Sequence, residues 1–427
     1  MADGQHSLGE RDVVVVGGGV VGVASAYFLA RRGARVSLLE QGELCAGASY
    51  GNAGWIFPSH STPLPAPGVL RQSLRWLFDR QSPLYIKPRP SLELARWLLA
   101  FLRASRGPLA RRTFALNREL SLASQELYAK LALELGAEVG YRQLGLMVAC
   151  RTRRALDAAL AELRELRELG GEGRQLGPEE LLDFQPALAP GLAGGVYFPA
   201  DAHLSPADFV HALAAEAVRL GVDVRTQTEV LQIERPGGGR SRVIATRGEF
   251  PCDELVLAGG AWSPGLSRPL GLRLPVQPAK GYSVTVRRPE GVGDVPVMLS
   301  ESKVGVTPLG PLLRFAGTLE LAGLDLSIQQ HRIAAILRAA SVYLPGLVPE
   351  GGIENLERVE TWRGLRPLTP DDLPAIGRPR ALPGVVIATG HGMSGMSQGP
   401  ITGLLVAQLI AGETPALDLA PFSPDRF

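Results

Sequence analysis

Residues 13–22 read VVVVGGGVVG, and this stretch decides the fold. The four valines are β-branched and uninterrupted, which is typical of a strand that is buried on both faces. The glycines that follow, Gly17, Gly19 and Gly22, fit the pattern G-x-G-x-x-G. This pattern at the end of a buried strand predicts a turn that leads directly into a helix.

The residues that follow complete a β-α-β unit. The chain reads as a helix over residues 20–32, which Gly33 ends, and as a second strand over residues 34–39. Glu40 stands at the end of that strand. Strand, glycine turn, helix, strand and acid together predict a dinucleotide-binding unit.

Each part of this unit has a physical task. Gly17 makes the tight turn, Gly19 lets the backbone approach a pyrophosphate, and Gly22 lets the helix pack closely on the strand. The helix N-terminus offers free N–H groups and a positive dipole to the phosphates. Glu40 is expected to accept hydrogen bonds from ribose hydroxyls, which favours a free ribose diol over a 2′-phosphate. The motif alone leaves both NAD and FAD open.

The composition of the 427-residue chain excludes several classes of protein. Hydrophobic residues make up 45% and charged residues 20%, which excludes wholesale disorder. The net charge of +2 gives no support for nucleic-acid binding. The uncharged run 13–30 is just long enough for a membrane span, but its consecutive glycines are poor helix material.

The cysteines point to a reducing compartment. Cys45, Cys150 and Cys252 lie far apart, with neither a CxxC pair nor a nearby histidine. Zinc sites and a disulfide framework therefore have no support, and a cytoplasmic location is the simplest interpretation.

Four further stretches are rich in small residues or end in glycines. Residues 45–54 form a loop of small residues, residues 221–233 are strand-like, and residues 252–262 form a buried strand that ends in glycines. Residues 384–395 give a strand and a glycine-rich turn, and a helix follows over 398–411. This last stretch repeats the first motif, because a strand again delivers a helix N-terminus to a ligand.

At this point the chain resembles a known family. Its fingerprint glycines, Asn52-Ala53-Gly54, Lys280-Gly281-Tyr282-Ser283, the GLRP-x-TPD segment at 364–371 and Gly390-His391-Gly392 are similar to those of the FAD-dependent D-amino-acid oxidase superfamily. Within it, the chain looks like the small-subunit type of bacterial D-amino-acid dehydrogenase. The resemblance covers residues 13 to about 410, and the GLRP-x-TPD segment followed by GHG is its most specific part.

The resemblance implies an α/β fold with two domains. One is a discontinuous, Rossmann-like FAD-binding domain, and the other is an α+β substrate domain with a mainly antiparallel sheet that covers the flavin. Residues 140–150 and 273–318 read as strands of that sheet. The FAD-binding domain is expected at 11–60, 201–265 and 360–421, and the substrate domain at 61–200 and 266–359.

The resemblance also implies the cofactor. Relatives that bind FAD covalently use a histidine soon after the fingerprint or a cysteine in the C-terminal half. Here Tyr50 and Gly51 occupy the relevant loop and no cysteine follows Cys252, so we predict non-covalent FAD. The predicted cofactor-binding residues are Gly17, Gly19, Val20, Val21, Gly22, Glu40, Gln41, Ser49, Asn52, Ala53, Gly54, Val230, Gly259, Gly260, Trp262, Gly364, Gly390, Gly392, Ser394, Gly395, Met396 and Ser397.

The activity that the resemblance implies is oxidative deamination of free D-amino acids, by hydride transfer from Cα to flavin N5. The cofactor carries this chemistry, while the protein binds and orients the substrate. Electrons would pass to a quinone or a dye-type acceptor. Stereochemistry rests on the resemblance alone, because it depends on which face of Cα meets N5.

Three residues are candidates for contact with the substrate. Arg366 stands where the family places its carboxylate-binding arginine, and a planar guanidinium can bind a carboxylate bidentately. Tyr282 either bonds the substrate or is a half-buried strand residue. His391 either contacts the reacting groups as a catalytic residue or contributes only its backbone to a glycine turn.

Several alternatives stay open. Within the superfamily, the enzyme would be an oxidase or dehydrogenase of glycine, sarcosine, proline or hydroxyproline. Outside it, the chain would be a non-catalytic flavoprotein subunit or an NAD-only dehydrogenase. The oligomeric state, a homo-oligomer included, is also open.

Residues 61–112 form a basic, aromatic insertion. Ten lysines and arginines stand against Asp79 and Glu93, a net charge of +8, and aromatic residues are interleaved with them. Residues 92–102 have an amphipathic helical pattern. One interpretation is a peripheral contact with the inner face of a membrane, which would suit transfer to a quinone. The other is an insertion whose apolar face packs on the substrate domain.

Overall fold

A computed structural model of the protein describes residues 7–9, 11–59, 63–65, 84–87, 90–235 and 239–427. The strands within these residues are β1 (Asp12–Val16), β2 (Arg35–Leu39), β3 (Trp55–Ile56), β4 (Leu84–Ile86), β5 (Leu146–Cys150), β6 (Arg174–Leu176), β7 (Gly194–Phe198), β8 (Ala202–His203), β9 (Asp223–Arg225), β10 (Val230–Glu234), β11 (Ser241–Ala245), β12 (Gly248–Cys252), β13 (Glu254–Leu257), β14 (Gln277–Arg287), β15 (Val297–Leu299), β16 (Val304–Leu309), β17 (Leu312–Leu321), β18 (Arg358–Leu368), β19 (Ala375–Gly377) and β20 (Val385–Thr389). The α-helices are α1 (Val20–Ala30), α2 (Leu92–Ala104), α3 (Gly107–Leu135), α4 (Arg153–Glu168), α5 (Pro178–Phe184), α6 (Pro206–Arg219), α7 (Ser263–Ser267), α8 (Gln330–Tyr343) and α9 (Gly395–Ala411).

The first sheet is built around the predicted β-α-β unit. β1 lies between the parallel strands β2 and β13, and the strand order is β19-β20-β13-β1-β2-β9. Helix α1 is buried along its whole length, and α9 and α6 pack against it. The predicted order of elements is confirmed, although α1 ends at Ala30 rather than at residue 32.

This sheet is assembled from three separate pieces of chain, as the discontinuous fold requires. β1 and β2 come from the N-terminal piece, β9 and β13 from the middle, and β19 and β20 from the C-terminal part. The predicted boundary at residue 360 falls inside β18, which pairs along its length with β14 in the second sheet. The second sheet therefore continues to Leu368 before the chain returns to the first.

The second sheet is mainly antiparallel, as predicted. Its strand order is β18-β14-β17-β16-β15-β5-β7-β6, with β4 paired to β17. Two pairs in it, β5–β15 and β4–β17, are parallel. Helix α8 packs on one face, where Val284, Phe315 and Ile336 form part of a buried core. The other face is turned toward the first sheet.

A β-bulge interrupts the pairing of β14 with β17. Lys280 pairs with Glu320 and Tyr282 pairs with Gly317, so Thr318 and Leu319 together oppose Gly281. Thr318 adopts a φ of 62°, a left-handed conformation that is costly for a β-branched residue. Bulges of this kind re-aim side chains and often lie next to active sites.

Helix α2, within the basic insertion, packs on the second sheet. Leu94 and Trp97 are buried against Leu319 and Leu368, and Trp97 Nε1 donates a hydrogen bond of 3.2 Å to the Leu368 carbonyl. These contacts support the packing interpretation for this face of the helix. The indole of Trp97 is therefore not available to a membrane surface.

The opposite face of α2 is exposed. Leu92 and Leu99 are 79% and 56% exposed, and Arg96 and Arg103 are exposed beside them. Other residues on which the membrane interpretation depends, Trp76 and Phe78 among them, lie outside the described residues. Within the part of the chain that the structure describes, no helix is both long and apolar enough to cross a membrane.

Candidate active site

A cavity of about 1650 Å³ is lined by residues of both sheets. Ordinary small-molecule pockets measure about 300–1,000 Å³, so this one has room for a dinucleotide and a second ligand. The cavity brings together most of the predicted site residues. Those that line it are Gly17, Gly19, Val20, Val21, Glu40, Gln41, Ser49, Asn52, Ala53, Gly54, Val230, Gly259, Gly260, Trp262, Tyr282, Gly364, Arg366, His391, Gly392, Ser394, Gly395 and Met396.

One end of the cavity is formed by the glycine turn between β1 and α1. A Cβ on Gly22 would collide with the carbonyl oxygen of Gly17, so helix and turn touch where the fingerprint requires them to. Gly17 has a φ of 113°, which favours glycine. The Ser49 hydroxyl accepts a hydrogen bond of 3.0 Å from the N–H of Val20, the first residue of α1. This end therefore offers a helix N-terminus with a hydroxyl beside it, which suits a pyrophosphate.

Glu40 lies beside the same turn. Its carboxylate accepts hydrogen bonds from the backbone N–H groups of Gly18, at 2.7 Å, and Gly42, at 2.9 Å. A carboxylate has about four lone-pair positions, so two remain for a ribose diol. The backbone bonds fix the orientation of the carboxylate before any ligand binds.

Three predicted cofactor residues support the cavity without lining it. Gly22 provides the helix–turn contact, and Gly390 has a φ of 82° and lies where an added Cβ would collide with the Thr369 side chain. Ser397 is buried, and its hydroxyl accepts a hydrogen bond of 3.3 Å from the Phe57 N–H. Their predicted contacts with the cofactor stay predictions, since their observed partners are parts of the protein.

Trp362, on β18, lines the cavity. A Cβ on Gly51 or on Gly364 would collide with its indole ring, so both glycines leave room for it. The ring therefore lies between the small-residue loop of the first domain and strand β18 of the second. The absence of side chains at Gly51 and Gly364 therefore allows the Trp362 ring to lie against the loop and line the cavity.

Arg314 holds the small-residue loop in place. Its guanidinium donates hydrogen bonds to the backbone carbonyls of Tyr50, at 3.2 Å, and Asn52, at 3.1 Å. Burial lowers the pKa of Arg314, and Glu360 opposes that shift from 3.9 Å. This buried arginine on β17 connects the sheet of the second domain to the loop that lines the cavity.

Arg366 lies at the other end of the cavity, on β18. Its Nη1 donates a hydrogen bond of 2.9 Å to the Thr318 carbonyl in the bulge. A Cβ on Gly281 would collide with the guanidinium, so this glycine provides the space in which it lies. Loss of water lowers the pKa of Arg366 to about 10, which leaves it charged at neutral pH. Among the described residues, no carboxylate forms a salt bridge with it.

Tyr282 occupies a different environment from the one predicted for a substrate ligand. Its side chain is 1% exposed and belongs to the core that Val284 shares with α8. Its hydroxyl donates a hydrogen bond of 2.9 Å to Glu320. Burial, followed by Glu320, raises the pKa of Tyr282. These contacts match the interpretation of Tyr282 as a buried strand residue.

His391 also has internal partners. Its Nε2 lies 2.9 Å from the Thr402 hydroxyl, which donates to the Gln398 carbonyl, also at 2.9 Å. Nε2 therefore carries the proton and donates to Thr402. Burial lowers the pKa of His391 to about 3, so the ring is neutral at physiological pH. This arrangement favours a structural role for the turn over acid–base catalysis.

Four of the residues that the site depends on were not predicted from the sequence: Thr318, Trp362, Arg314 and Asp372. Trp362 carried a usable signal, since it stands four residues before Arg366 on one strand and alternate residues share a face. Asp372 directly follows the GLRP-x-TPD segment. Arg314 and Thr318 carried none, because their roles depend on how β14, β17 and β18 pair.

Comparisons with known proteins agree with this geometry. A family model described as FAD dependent oxidoreductase matches residues 12–409. A D-amino acid dehydrogenase of Chromohalobacter salexigens is 36% identical over 430 residues, which cover 97% of this chain and 99% of that protein. A D-amino acid dehydrogenase of Methylobacterium nodulans is 36% identical over 427 residues, with the same coverage.

Solved structures share the fold. A glycine oxidase from Geobacillus kaustophilus superposes with a TM-score of 0.78 at 29% identity, covering 98% of this chain and 99% of that one. An L-proline dehydrogenase from P. horikoshii superposes with a TM-score of 0.74 at 22% identity, and this likeness shows the fold alone.

Proposed function

The chain belongs to the FAD-dependent oxidoreductase family, and from that premise we propose that it oxidatively deaminates free D-amino acids. The family match confirms the predictions of FAD and of an oxidoreductase. The choice of substrate is supported by two relatives that are D-amino acid dehydrogenases. This chain matches each of them over nearly its whole length.

One observation of the structure carries the proposal: the desolvated guanidinium of Arg366 has no carboxylate partner among the described residues. A buried charge that lacks an opposite charge is costly to the folded protein. A substrate carboxylate would supply the missing charge, and a guanidinium can hold it with two parallel hydrogen bonds. The Thr318 carbonyl and the space at Gly281 fix the guanidinium in advance.

Bound FAD supplies a two-electron acceptor for the hydride from the substrate Cα. The residues of the chain bind and orient. Arg366 fixes one end of the amino acid, and Trp362 and the loop that Arg314 holds form the walls of the reaction space. Holding the reacting carbon in one place accounts for much of the rate that such an enzyme needs.

The residues present also fit non-covalent FAD. Gly17 and Gly22 pack so closely on neighbouring backbone that a Cβ at either would collide with it, and this fixes the glycine turn at the α1 N-terminus, where a pyrophosphate would bind. Among the described residues that line the cavity there is no cysteine, and His391 uses its Nε2 internally.

The electron acceptor and the membrane contact form a second part of the proposal. The acceptor would be a quinone or another dye-type molecule. The exposed leucines of α2 and the arginines beside them form a surface that suits the inner face of an anionic membrane. Sedimentation of the holoprotein with anionic and neutral vesicles tests this part, which fails if neither vesicle retains the protein.

Glycine oxidation is a second candidate, because a glycine oxidase with 29% identity covers the whole fold. Sarcosine and proline belong to the same alternative. A non-catalytic flavoprotein subunit is disfavoured by Arg366, which has no carboxylate partner among the described residues and lines a cavity large enough for two ligands.

An anaerobic spectral titration of the holoprotein tests the proposed function. D- and L-alanine, D- and L-proline, glycine and sarcosine are added in turn, and flavin reduction is followed by loss of its absorbance. We expect reduction by D-alanine and not by L-alanine. Slow reoxidation when air is admitted would identify a dehydrogenase, and fast reoxidation an oxidase. If glycine alone reduces the flavin, the second candidate replaces the first, and if no amine does, the proposal fails.

A further inference from the structure

Asp372 presents a free carboxylate oxygen to the cavity. The residue has a φ of 59°, and its Oδ2 accepts a hydrogen bond of 2.8 Å from the Leu64 N–H. Its Oδ1 has no hydrogen-bond partner among the described residues. That oxygen lies next to Gly392, where an added Cβ would stand 2.7 Å from it. Asp372, Leu64 and Gly392 all line the cavity.

Asp372 lies at the same end of the cavity as Arg366. The Gly392 N–H donates a hydrogen bond of 2.9 Å to the carbonyl of Pro367, the residue after Arg366. Leu64 packs against the cluster that contains Leu319, which follows the Thr318 carbonyl that holds the guanidinium. Two separate sets of contacts, one through Gly392 and one through Leu64, therefore connect the Asp372 carboxylate to residues that adjoin Arg366.

No cation of the described residues neutralises Asp372. Its neighbour Asp371 pairs with Arg426, at 2.8 Å and 3.1 Å, so that arginine is already engaged by another carboxylate. Burial, opposed by the Leu64 hydrogen bond and assisted by Asp371, raises the pKa of Asp372 to about 7. The cavity thus holds one desolvated cation and one desolvated anion, and neither has an ionic partner in the described chain.

We propose that Asp372 is the subsite that binds the positively charged nitrogen of the substrate, opposite the carboxylate site at Arg366. This inference rests on the proposed function. A molecule with a carboxylate at one end and a protonated amine at the other would satisfy both side chains at once, with charge-assisted hydrogen bonds at each end.

The protonated amine has two sources in a D-amino acid. It is the α-ammonium group, which every substrate carries, or the cationic end of a basic side chain. The two sources predict different substrate patterns, so one set of substrates separates them.

The test compares the wild-type holoprotein with Asp372→Asn. Asparagine tolerates the left-handed conformation and keeps an oxygen for the Leu64 N–H, but it removes the charge. D-alanine, D-lysine and D-norleucine are the substrates, since norleucine replaces the lysine ammonium with a methyl group. Assays at about pH 8.5 keep the carboxylate ionised, because its pKa is raised from a usual value of about 3.9.

If Asp372 binds the α-ammonium, we expect kcat/KM to fall by about ten- to a hundredfold for all three substrates. If it binds a side-chain cation, we expect that fall for D-lysine alone, mainly through KM. Flavin content and FAD affinity should be unchanged in both cases. Asp372→Gly removes the carboxylate and accepts the left-handed conformation, so it should repeat the kinetic result, and its Tm is measured to show that the variant is folded.

Unchanged kinetics for all three substrates in both variants would overturn the inference. A loss of FAD affinity that matches the loss of activity would also overturn it, since the carboxylate would then serve the cofactor. Failure of the proposed function looks different, because the wild-type holoprotein would then turn over none of the three substrates.

Discussion

The two ends of the cavity are built on different principles. At the dinucleotide end, polar groups already have partners within the chain: Glu40 accepts from Gly18 and Gly42, and Ser49 accepts from the first helical N–H. At the opposite end, the roof end, which holds Arg366 on β18, the guanidinium has a single hydrogen bond to a carbonyl and no opposite charge among the described residues. The polar groups of the first end are held in place by the protein before a ligand arrives, whereas the second end needs a ligand to neutralise its charge.

This difference assigns the two ends to different tasks. A prearranged backbone cradle suits a cofactor that stays bound. An unpaired, desolvated guanidinium suits a ligand that brings the opposite charge and leaves again. Four variants or conditions test the contrast, in order of decreasing expected effect.

Replacing Arg366 with alanine should produce the largest effect. We expect kcat/KM for D-alanine to fall by about a thousandfold, because the loss of one partner of a buried ion pair costs about 3–5 kcal/mol. Flavin content should be unchanged, since the substitution leaves the dinucleotide end intact. Steady-state kinetics with an artificial acceptor measure the effect.

Arg363→Ala is the matched control. Arg363 is the nearest arginine on β18, and its Nε donates to the Leu326 carbonyl at 2.8 Å. Its loss should cost less than about tenfold, as expected for one hydrogen bond to a carbonyl. Equal losses in the two variants would remove the contrast between the ends.

Gly22→Ala addresses the dinucleotide end. The added methyl group collides with the Gly17 carbonyl, so we expect FAD affinity to fall by roughly ten- to a hundredfold. Titration of apoprotein with FAD measures this. Gly107→Ala, outside the cavity lining and with nothing within 4 Å of the new methyl group, should bind FAD normally. Normal affinity in Gly22→Ala would show that this contact does not shape the cofactor site.

Gly281→Ala addresses the roof end without removing a charge. The new methyl group displaces the guanidinium of Arg366, so we expect KM for D-alanine to rise about tenfold while FAD affinity is retained. Gly265→Ala serves as the control, because nothing lies within 4 Å of the added methyl group. A rise in KM in both variants would show a general loss of stability instead.

The smallest effect concerns pH and His391. Its folded pKa, lowered to about 3 by burial, lies below that of the unfolded chain. As the pH falls below about 6.5, His391 binds a proton in the unfolded state but not in the folded state. The free energy of unfolding therefore falls by about 1.4 kcal/mol per pH unit. His391→Gln should weaken this dependence in urea unfolding at several pH values. Identical slopes in both proteins would show that the ring is protonated in the fold.

The contrast also explains what the sequence could predict. The dinucleotide end comes from one contiguous β-α-β unit, so spacing alone located Gly17, Gly22 and Glu40. Arg366 was found through its motif and its family resemblance rather than through any local pattern. Motif spacing and family resemblance both identify single residues, but neither predicts the contacts that hold those residues in place.

The remaining residues of the roof end depend on strand pairing. The bulge that opposes Thr318 and Leu319 to Gly281 follows from the register of β14 and β17, which no local pattern encodes. For the same reason Tyr282 was open to two interpretations, since its face of the strand is decided by that register. The position of Asp372 in the cavity depends on its contacts with Leu64 and Gly392, which are distant in sequence, so no local pattern predicts it.

The most direct test of the central claim asks whether Arg366 recognises the carboxylate itself. Flavin reduction by D-alanine is compared with reduction by D-alaninamide, in the wild-type holoprotein and in Arg366→Ala. We predict that the wild type prefers the carboxylate by about a hundredfold or more and that the variant loses most of this preference. If the variant slows both substrates equally and keeps the preference, Arg366 supports the fold rather than the substrate, and the assignment of the roof end is wrong.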